Sequence, residues 1–201
     1  MEFKIFLYIV IIFSAVFHEF FHGWTASRLG DQTAKLAGRL TLNPLKHLDL
    51  FGTVLLPLFL LFFTGAFLGW AKPVPYNPYN LRDQKWGSTK VAFAGPAANF
   101  IIALALSAAL RFVPLSGFFY ISFSWIVYIN IFLGLFNLLP FPPLDGSKLL
   151  IDLFPSQAQK LLSFSLFGIF IAIFTAMYIL SPIARLLFYS FTGAPFMPYA
   201  F

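Results

Sequence analysis

The chain has 201 residues, of which 60% are hydrophobic, 20% aromatic and only 10% charged. Soluble domains carry about 25% charged residues, so this composition excludes an ordinary water-soluble enzyme and points to an integral membrane protein. The net charge of +6 reads as membrane topology rather than nucleic-acid binding, because the basic residues fall between apolar runs, and the lack of cysteine excludes disulfides, Cys-ligated zinc and thiol nucleophiles.

The first apolar run, residues 3–22, is about 30 Å long as a helix, enough to span a bilayer. No small-x-small cleavage site closes it, so it is expected to persist as a membrane helix rather than be removed as a signal peptide. It ends in His18-Glu19-Phe20-Phe21-His22. Ionisable groups at bilayer depth are costly to bury and are by default a functional hypothesis. At about 3.6 residues per turn, His18 and His22 share a helical face and can grip one metal ion. Glu19 lies beside them, placed to take a proton from a metal-activated water.

Residues 24–49 are polar, and Thr33 to Leu42 alternates around Gly38. One or two short strands are expected there, to which an extended substrate can add as a further strand. Residues 50–70 are apolar again but are interrupted by Gly52, Pro57, Gly65 and Gly69. Pro73, Pro75 and Pro78 then exclude helix and predict an extended segment. Residues 91–113 and 118–139 predict two further membrane helices. Near the start of the first is Gly95-Pro96-Ala97-Ala98-Asn99, whose Gly95, Ala97 and Ala98 read as close-packing residues. The second ends in Asn137-Leu138-Leu139-Pro140-Phe141-Pro142-Pro143-Leu144-Asp145-Gly146. A fifth apolar run covers 161–180, and the shorter run 183–191 beyond Pro182 is expected to lie at the interface or fray.

A catalytic zinc normally takes three protein ligands and keeps a position for water. Of the acidic residues Glu2, Glu19, Asp31, Asp49, Asp83, Asp145 and Asp152, only Asp145 directly follows a long apolar helix, in a turn broken by prolines. Irregular backbone at membrane depth needs protein or a water-filled cavity against it, and a hydrolase needs such a cavity. Asp145 is therefore the preferred third ligand, with His47, in the polar loop, as the alternative. The plainer reading of Asp145 is a solvated turn residue at a helix end.

His18-Glu19-x-x-His22, Gly95-Pro96-x-x-Asn99 and Asn137-x-x-Pro140-x-Pro142-x-Leu144-Asp145-Gly146, each on its own membrane segment, resemble the site-2 protease family of intramembrane zinc metalloproteases. Asn43-Pro44-x-x-His47-x-Asp49-x-x-Gly52-Thr53 and Gly69-Trp70-Ala71-Lys72-Pro73-Val74-Pro75 resemble connecting segments of its short members. The resemblance covers roughly residues 10–155 and implies a three-helix core. It also implies one zinc held by His18, His22 and Asp145, with Glu19 as catalytic base. Asn99 and Asn137 are then polar groups near the substrate or the oxyanion. Alternatively, Asn99 is a helix-packing contact and Asn137 orients the unwound segment. The substrate implied is a transmembrane protein cleaved in or near its helix. No insertion is long enough for the PDZ or nucleotide-sensing domains that some members carry.

The resulting expectation is an all-α polytopic membrane protein with a single peptidase domain over residues 1–201. Its core spans about 3–155, followed by a C-terminal helical segment, with a short β element after the first helix. Bringing Asp145 to the histidines requires residues 50–90 to return to the face where His22 emerges. Residues 50–68 must then re-enter rather than simply cross. Under that reading ten of the thirteen basic residues share one face, which the positive-inside rule makes cytoplasmic in the cell membrane. A metal or ion transporter fits less well, because few charged residues lie in the apolar runs. A silent scaffold fits less well too, because both histidines, the glutamate and the aspartate are present.

Overall fold

Among the described residues of the computed structural model, 2–57, 59, 69 and 71–197, four helices are long and apolar enough to cross a bilayer. In chain order the helices are α1 (Glu2–Arg28), the single turn α2 (Thr33–Leu36), α3 (Gly87–Phe112) and α4 (Gly117–Asn137). They are followed by α5 (Ser147–Leu153), α6 (Ala158–Ser163) and α7 (Ser165–Thr192). No strand occurs among the described residues, so the fold is all-α and polytopic, as composition requires.

Contacts between helices set their directions. His22, late in α1, meets Val91 at the start of α3, while Ser14 meets Asn99 further along, so α1 and α3 are antiparallel. Asn99 also pairs with Asn130 of α4, and Phe3 of α1 lies against Trp125 with ring centroids 5.7 Å apart. The start of α7 packs its Gly168 on the Pro142 carbonyl. Beyond its far end, Phe196 stacks on Tyr128 at 4.1 Å. The bundle therefore runs up-down-up-down, and the late end of α1, the start of α3 and the end of α4 share one face. Ala103, Val127, Ile131, Ala184 and Phe188 form the core where α3, α4 and α7 meet. The small residues let the backbones approach, which is how helices associate where lipid removes the hydrophobic drive.

Three elements differ from the sequence reading. Helix α1 does not end at His22 but continues to Arg28. Just past His22, Gly23 is a contact: a Cβ there would lie 2.8 Å from Val74 Cγ1. The expected strand at Thr33–Leu42 begins instead as a helical turn. The Asp31 carboxylate accepts from the Thr33 N–H at 3.2 Å and so starts that turn, which leaves the alternating pattern no partner strand. The run beyond Pro182 does not fray either. It continues α7 through a π-helical turn, Ala176–Leu180, which relieves the clash that the proline ring makes with a regular helix. Ser181 Oγ donates to the Ala176 carbonyl at 3.3 Å, and Ala184 and Phe188 are buried in the core.

Most of the expected re-entrant segment lies outside the described residues, but both of its ends are described. Leu50–Leu55 opens as a π-helical turn capped by the Asp49 carboxylate, which accepts from the Phe51 and Gly52 N–H groups at 3.1 and 2.6 Å. The Lys72 N–H donates to the His47 carbonyl at 2.9 Å. A Cβ on Gly69 would lie 2.5 Å from the Gly52 carbonyl oxygen. At residues 69–72 the chain is thus back beside the point where it left.

Because the chain lacks cysteine, single replacements read topology directly. In sealed vesicles an impermeant maleimide is expected to label Lys46→Cys and Lys85→Cys from one side and Val113→Cys from the other. Labelling of the two lysine positions from opposite sides would overturn the return of the chain.

Candidate functional site

The two imidazoles of α1 and the Asp145 carboxylate converge. His18 Nε2 and His22 Nε2 lie 2.9 and 3.2 Å from the same oxygen, Asp145 Oδ2. Both histidines are buried and Asp145 is half-buried. The loop after α4 brings the carboxylate back: the Gly146 N–H donates to the Asn137 carbonyl at 2.7 Å. Gly146 lies against the Leu138 backbone so closely that any Cβ would collide with it.

The far nitrogen of each ring is already committed. His22 Nδ1 donates to the Val91 carbonyl and His18 Nδ1 to Asn99 Oδ1, both at 2.7 Å. The Asn99 oxygen is identified by its nitrogen, which faces only acceptors: Asn130 Oδ1 at 2.9 Å and the Ser14 carbonyl at 3.3 Å. Asn130 is held the same way, its nitrogen donating to the Ile126 carbonyl at 2.9 Å and to Ser14 Oγ at 3.0 Å. With Nδ1 carrying the hydrogen, a neutral ring presents a lone pair at Nε2. Two such lone pairs then face a carboxylate oxygen. Three such acceptors pointed at one another suit a cation between them, a proton or a metal ion.

The donor set suits zinc. Bonds of about 2.0–2.1 Å in a tetrahedral site set ligand atoms roughly 3.3 Å apart, close to the separations seen. The three residues offer ligand atoms all within 4.8 Å of one another. Gly95 of α3 makes the room: a Cβ there would sit 2.6 Å from His18 Nε2 and closer still to His22 Nε2. The close approach read from the Gly95-Pro96-Ala97-Ala98 run is thus to the imidazoles.

Glu19 is held by the proline-rich segment. Its Oε2 accepts from the Val74 N–H at 2.6 Å. Residues 71–77 form a strap outside any helix, anchored at both ends. Lys72 is tied to His47, and Arg39 Nη2 donates to the Lys72 carbonyl at 2.8 Å. The Asn77 N–H donates to the buried Asp31 carboxylate at 2.7 Å, and Asn80 Nδ2 donates to it at 2.9 Å. Burial raises the Asp31 pKa, but hydrogen bonds from Thr33, Asn80 and Asn77 outweigh it and hold the carboxyl below its usual range. Three of the donors along the strap are already used. The N–H groups of Lys72, Val74 and Asn77 are taken, and Pro73 and Pro75 have none.

A cavity of about 440 Å³ opens beside the cluster, with Ile12, His18, Glu19, His47, Asn137 and Ile169 in its wall. It is mostly apolar, as a site for a membrane segment requires. Asn137 Nδ2 donates to the Leu133 carbonyl of its own helix at 3.0 Å while the residue faces the cavity. Asn99 lies behind His18, fully buried and away from the cavity. His47, the alternative ligand, is not part of the metal-ligating cluster.

The family model described as peptidase family M50 matches residues 6–120 and 114–181. The chain belongs to this family, the site-2 proteases. Among curated proteins, "Putative zinc metalloprotease YwhC" of Bacillus subtilis is 41% identical over 159 residues, covering 75% of this chain and 69% of its own. "Putative zinc metalloprotease Rip2" of Mycolicibacterium smegmatis is 33% identical over 138 residues, covering 67% and 52%. Its namesake in Mycobacterium tuberculosis is 29% identical over 152 residues, covering 75% and 58%. The chain thus spans little more than half the length of the Rip2 proteins. No solved structure matches it.

In this M50 peptidase, sequence reasoning missed Ser14, Asn130, Gly95 as a site residue, and the Val74 N–H. Ser14 was visible in principle, since Ser14, His18 and His22 recur every four residues on one face. Asn130 was a polar residue in an apolar membrane helix, which calls for a partner. Gly95→Ala is expected to push a methyl among the Nε2 atoms. Zinc content of the purified protein should fall to a small fraction of wild type while helical circular dichroism is unchanged. Wild-type zinc in Gly95→Ala would show that the rings do not need this space.

Proposed function

We propose that this M50 peptidase hydrolyses a peptide bond in or near a transmembrane helix of a protein substrate, using one zinc held by His18, His22 and Asp145, with Glu19 as general base. The observation that carries the reading is the convergence of two bare imidazole nitrogens and a carboxylate oxygen, all acceptors, beside a cavity that also holds a second carboxylate. A zinc bound there supplies Lewis acidity, lowering the pKa of water to about 7 and polarising a carbonyl.

The protein's own groups account for the rest. Val91 and Asn99 fix both rings with Nε2 forward, and hydrogen-bonded outer groups of this kind raise ligand basicity and fix the tautomer. Asn130 and Ser14 hold Asn99 in turn. Glu19 keeps one oxygen on the Val74 N–H, leaving the other to accept a proton and later return it to the leaving amine. Asn99, with both ends of its amide engaged, orients His18 rather than meeting substrate. Asn137, in the cavity wall with a second amide hydrogen to offer, is the side-chain donor we assign to the developing oxyanion. A helical substrate must unwind before its carbonyl is accessible, and the apolar wall can hold the side chains of the unwound segment.

We assign one peptidase domain, with its core at about 3–155. Residues 156–201 belong to it because Phe188 shares the core of Ala103 and Ile131. We place the protein in the cell membrane as a multi-pass protein with its site toward the cytoplasm, by the excess of lysine and arginine on the site face. Its partners are then a transmembrane substrate and the bilayer, with no role for nucleic acid.

Glu19→Gln is expected to keep wild-type zinc and lose about 10²–10⁴-fold in cleavage of a transmembrane substrate. Asp145→Ala is expected to lose the zinc itself. Both are read by metal analysis beside a gel-based cleavage assay. Cleavage surviving in Glu19→Gln would remove the proposed base, and equal zinc in Asp145→Ala would remove the third ligand.

A further inference from the structure

Asp152 is an acid that the metal-ligating cluster does not use. Its Oδ2 accepts two hydrogen bonds from Thr89 of α3, from the N–H at 2.9 Å and from Oγ1 at 2.7 Å. Thr89 lies in the first turn of α3, where N–H groups have no acceptor within the helix. Trp86, just before that turn, offers no side-chain cap. The Thr89 N–H is served instead from 63 residues further along the chain.

That distant segment carries the third ligand. The Lys148 N–H donates to the Asp145 carbonyl at 2.9 Å, so the turn that becomes α5 begins at Asp145 itself. Asp152 is about two turns further on, which puts the two carboxylates on one face, about 10 Å apart along α5. Helix α3 carries a matching span, rising about 9 Å from Thr89 to Gly95. Gly95 marks the level of the imidazoles, since a Cβ there would lie 2.6 Å from His18 Nε2. Helix α5 packs on α3. With Asp152 on Thr89, an antiparallel α5 delivers Asp145 to the level of Gly95. Val91, whose carbonyl orients His22, sits between the two levels.

The register matters because the tolerances differ. Packed helices can slide past one another by about 1–2 Å, whereas metal–ligand distances hold to about 0.2 Å. Apolar packing gives α5 little grip, since only Ser147 of its seven residues is buried. Ser147 Oγ donates to the Leu144 carbonyl within its own turn and fixes nothing beyond it. The bond to Thr89 is directional and joins α5 to the helix that carries Val91 and Gly95.

We propose that Asp152 is a positioning residue for the metal site, its bond to Thr89 fixing the register of α5 on α3 and so holding Asp145 level with His18 and His22. The inference rests on the metal reading above and extends it to a residue outside the ligand set.

Both bonds go to one oxygen, so Asp152→Asn keeps them through its amide oxygen while Asp152→Ala removes them. Zinc affinity of the purified protein is measured by competition with a chromophoric chelator. Ligand geometry is read from the visible bands of the cobalt-substituted protein. Asp152→Ala is expected to weaken zinc about tenfold, the lower end of what outer partners of metal ligands contribute, and to alter the cobalt bands. Asp152→Asn should restore both. Thr89→Val removes only the hydroxyl donor and should weaken zinc in the same direction. It should add nothing in the Asp152→Ala background, because two ends of one contact are not additive. A lower unfolding temperature in Asp152→Ala with unchanged zinc affinity and cobalt bands would make Asp152 a helix cap alone and overturn the proposal. So would an Asp152→Asn protein that binds zinc no better than Asp152→Ala. If Asp152→Ala does not fold, wild-type zinc affinity and bands in Thr89→Val overturn it. A wild-type protein that takes up neither metal would defeat the metal reading and this inference with it, whereas equal zinc affinity in wild type and Asp152→Ala defeats this inference alone.

Discussion

Three hydrogen-bond acceptors are turned toward one another inside a membrane bundle, and the rest of the structure is built to keep them there. Left alone, two imidazole lone pairs and a carboxylate would repel, and in an apolar surrounding that repulsion is poorly screened. The arrangement persists because each acceptor is held from behind. Val91 and Asn99 accept the Nδ1 hydrogens, Asn130 and Ser14 fix the Asn99 amide, and the Gly146 N–H pins the loop that carries Asp145. Asn99 and Asn130, amides in the interior of α3 and α4, are thereby accounted for. They are the structural consequence of presenting bare nitrogens at the centre of the site.

The same constraint explains where backbone is allowed to be irregular. Strap 71–77 runs unpaired by any sheet beside the first helix, yet its polar groups are used. Glu19, His47 and Asp31 take the N–H groups of Val74, Lys72 and Asn77, and Arg39 takes carbonyls. Prolines remove donors that would otherwise go unsatisfied. The strap is therefore a clamp that sets Glu19 beside the cavity.

Much of this was legible in the chain itself. The apolar runs at 91–113 and 118–139 match α3 and α4 to within a few residues, because long uninterrupted hydrophobicity has few alternatives in a membrane. His18 and His22 were legible from helical periodicity. Asp145 was legible because a proline-broken turn directly after a membrane helix is a costly place for an acid. The errors arose where a local pattern met a tertiary partner. The first helix was read to end at His22, but it continues to Arg28, with Val74 approaching it at Gly23. The alternation at Thr33–Leu42 looked like a strand, but Asp31 starts a helical turn there. Pro182 looked like an end, but a π-helical turn carries α7 past it.

The sequence by itself determined the membrane setting, the two long helices at 91–113 and 118–139 and the residues able to bind a metal, since these follow from composition, run length and spacing along one chain. Only the tertiary structure decided which nitrogen of each histidine faces the site, that Gly95 is the space between the rings, and that Glu19 is held by Val74. It also decided that residue 72 returns to residue 47. Each of these is a contact between segments far apart in the chain. Hydrogen-bond direction and close approach are properties of the partner as much as of the residue, and no periodicity within a single segment encodes them.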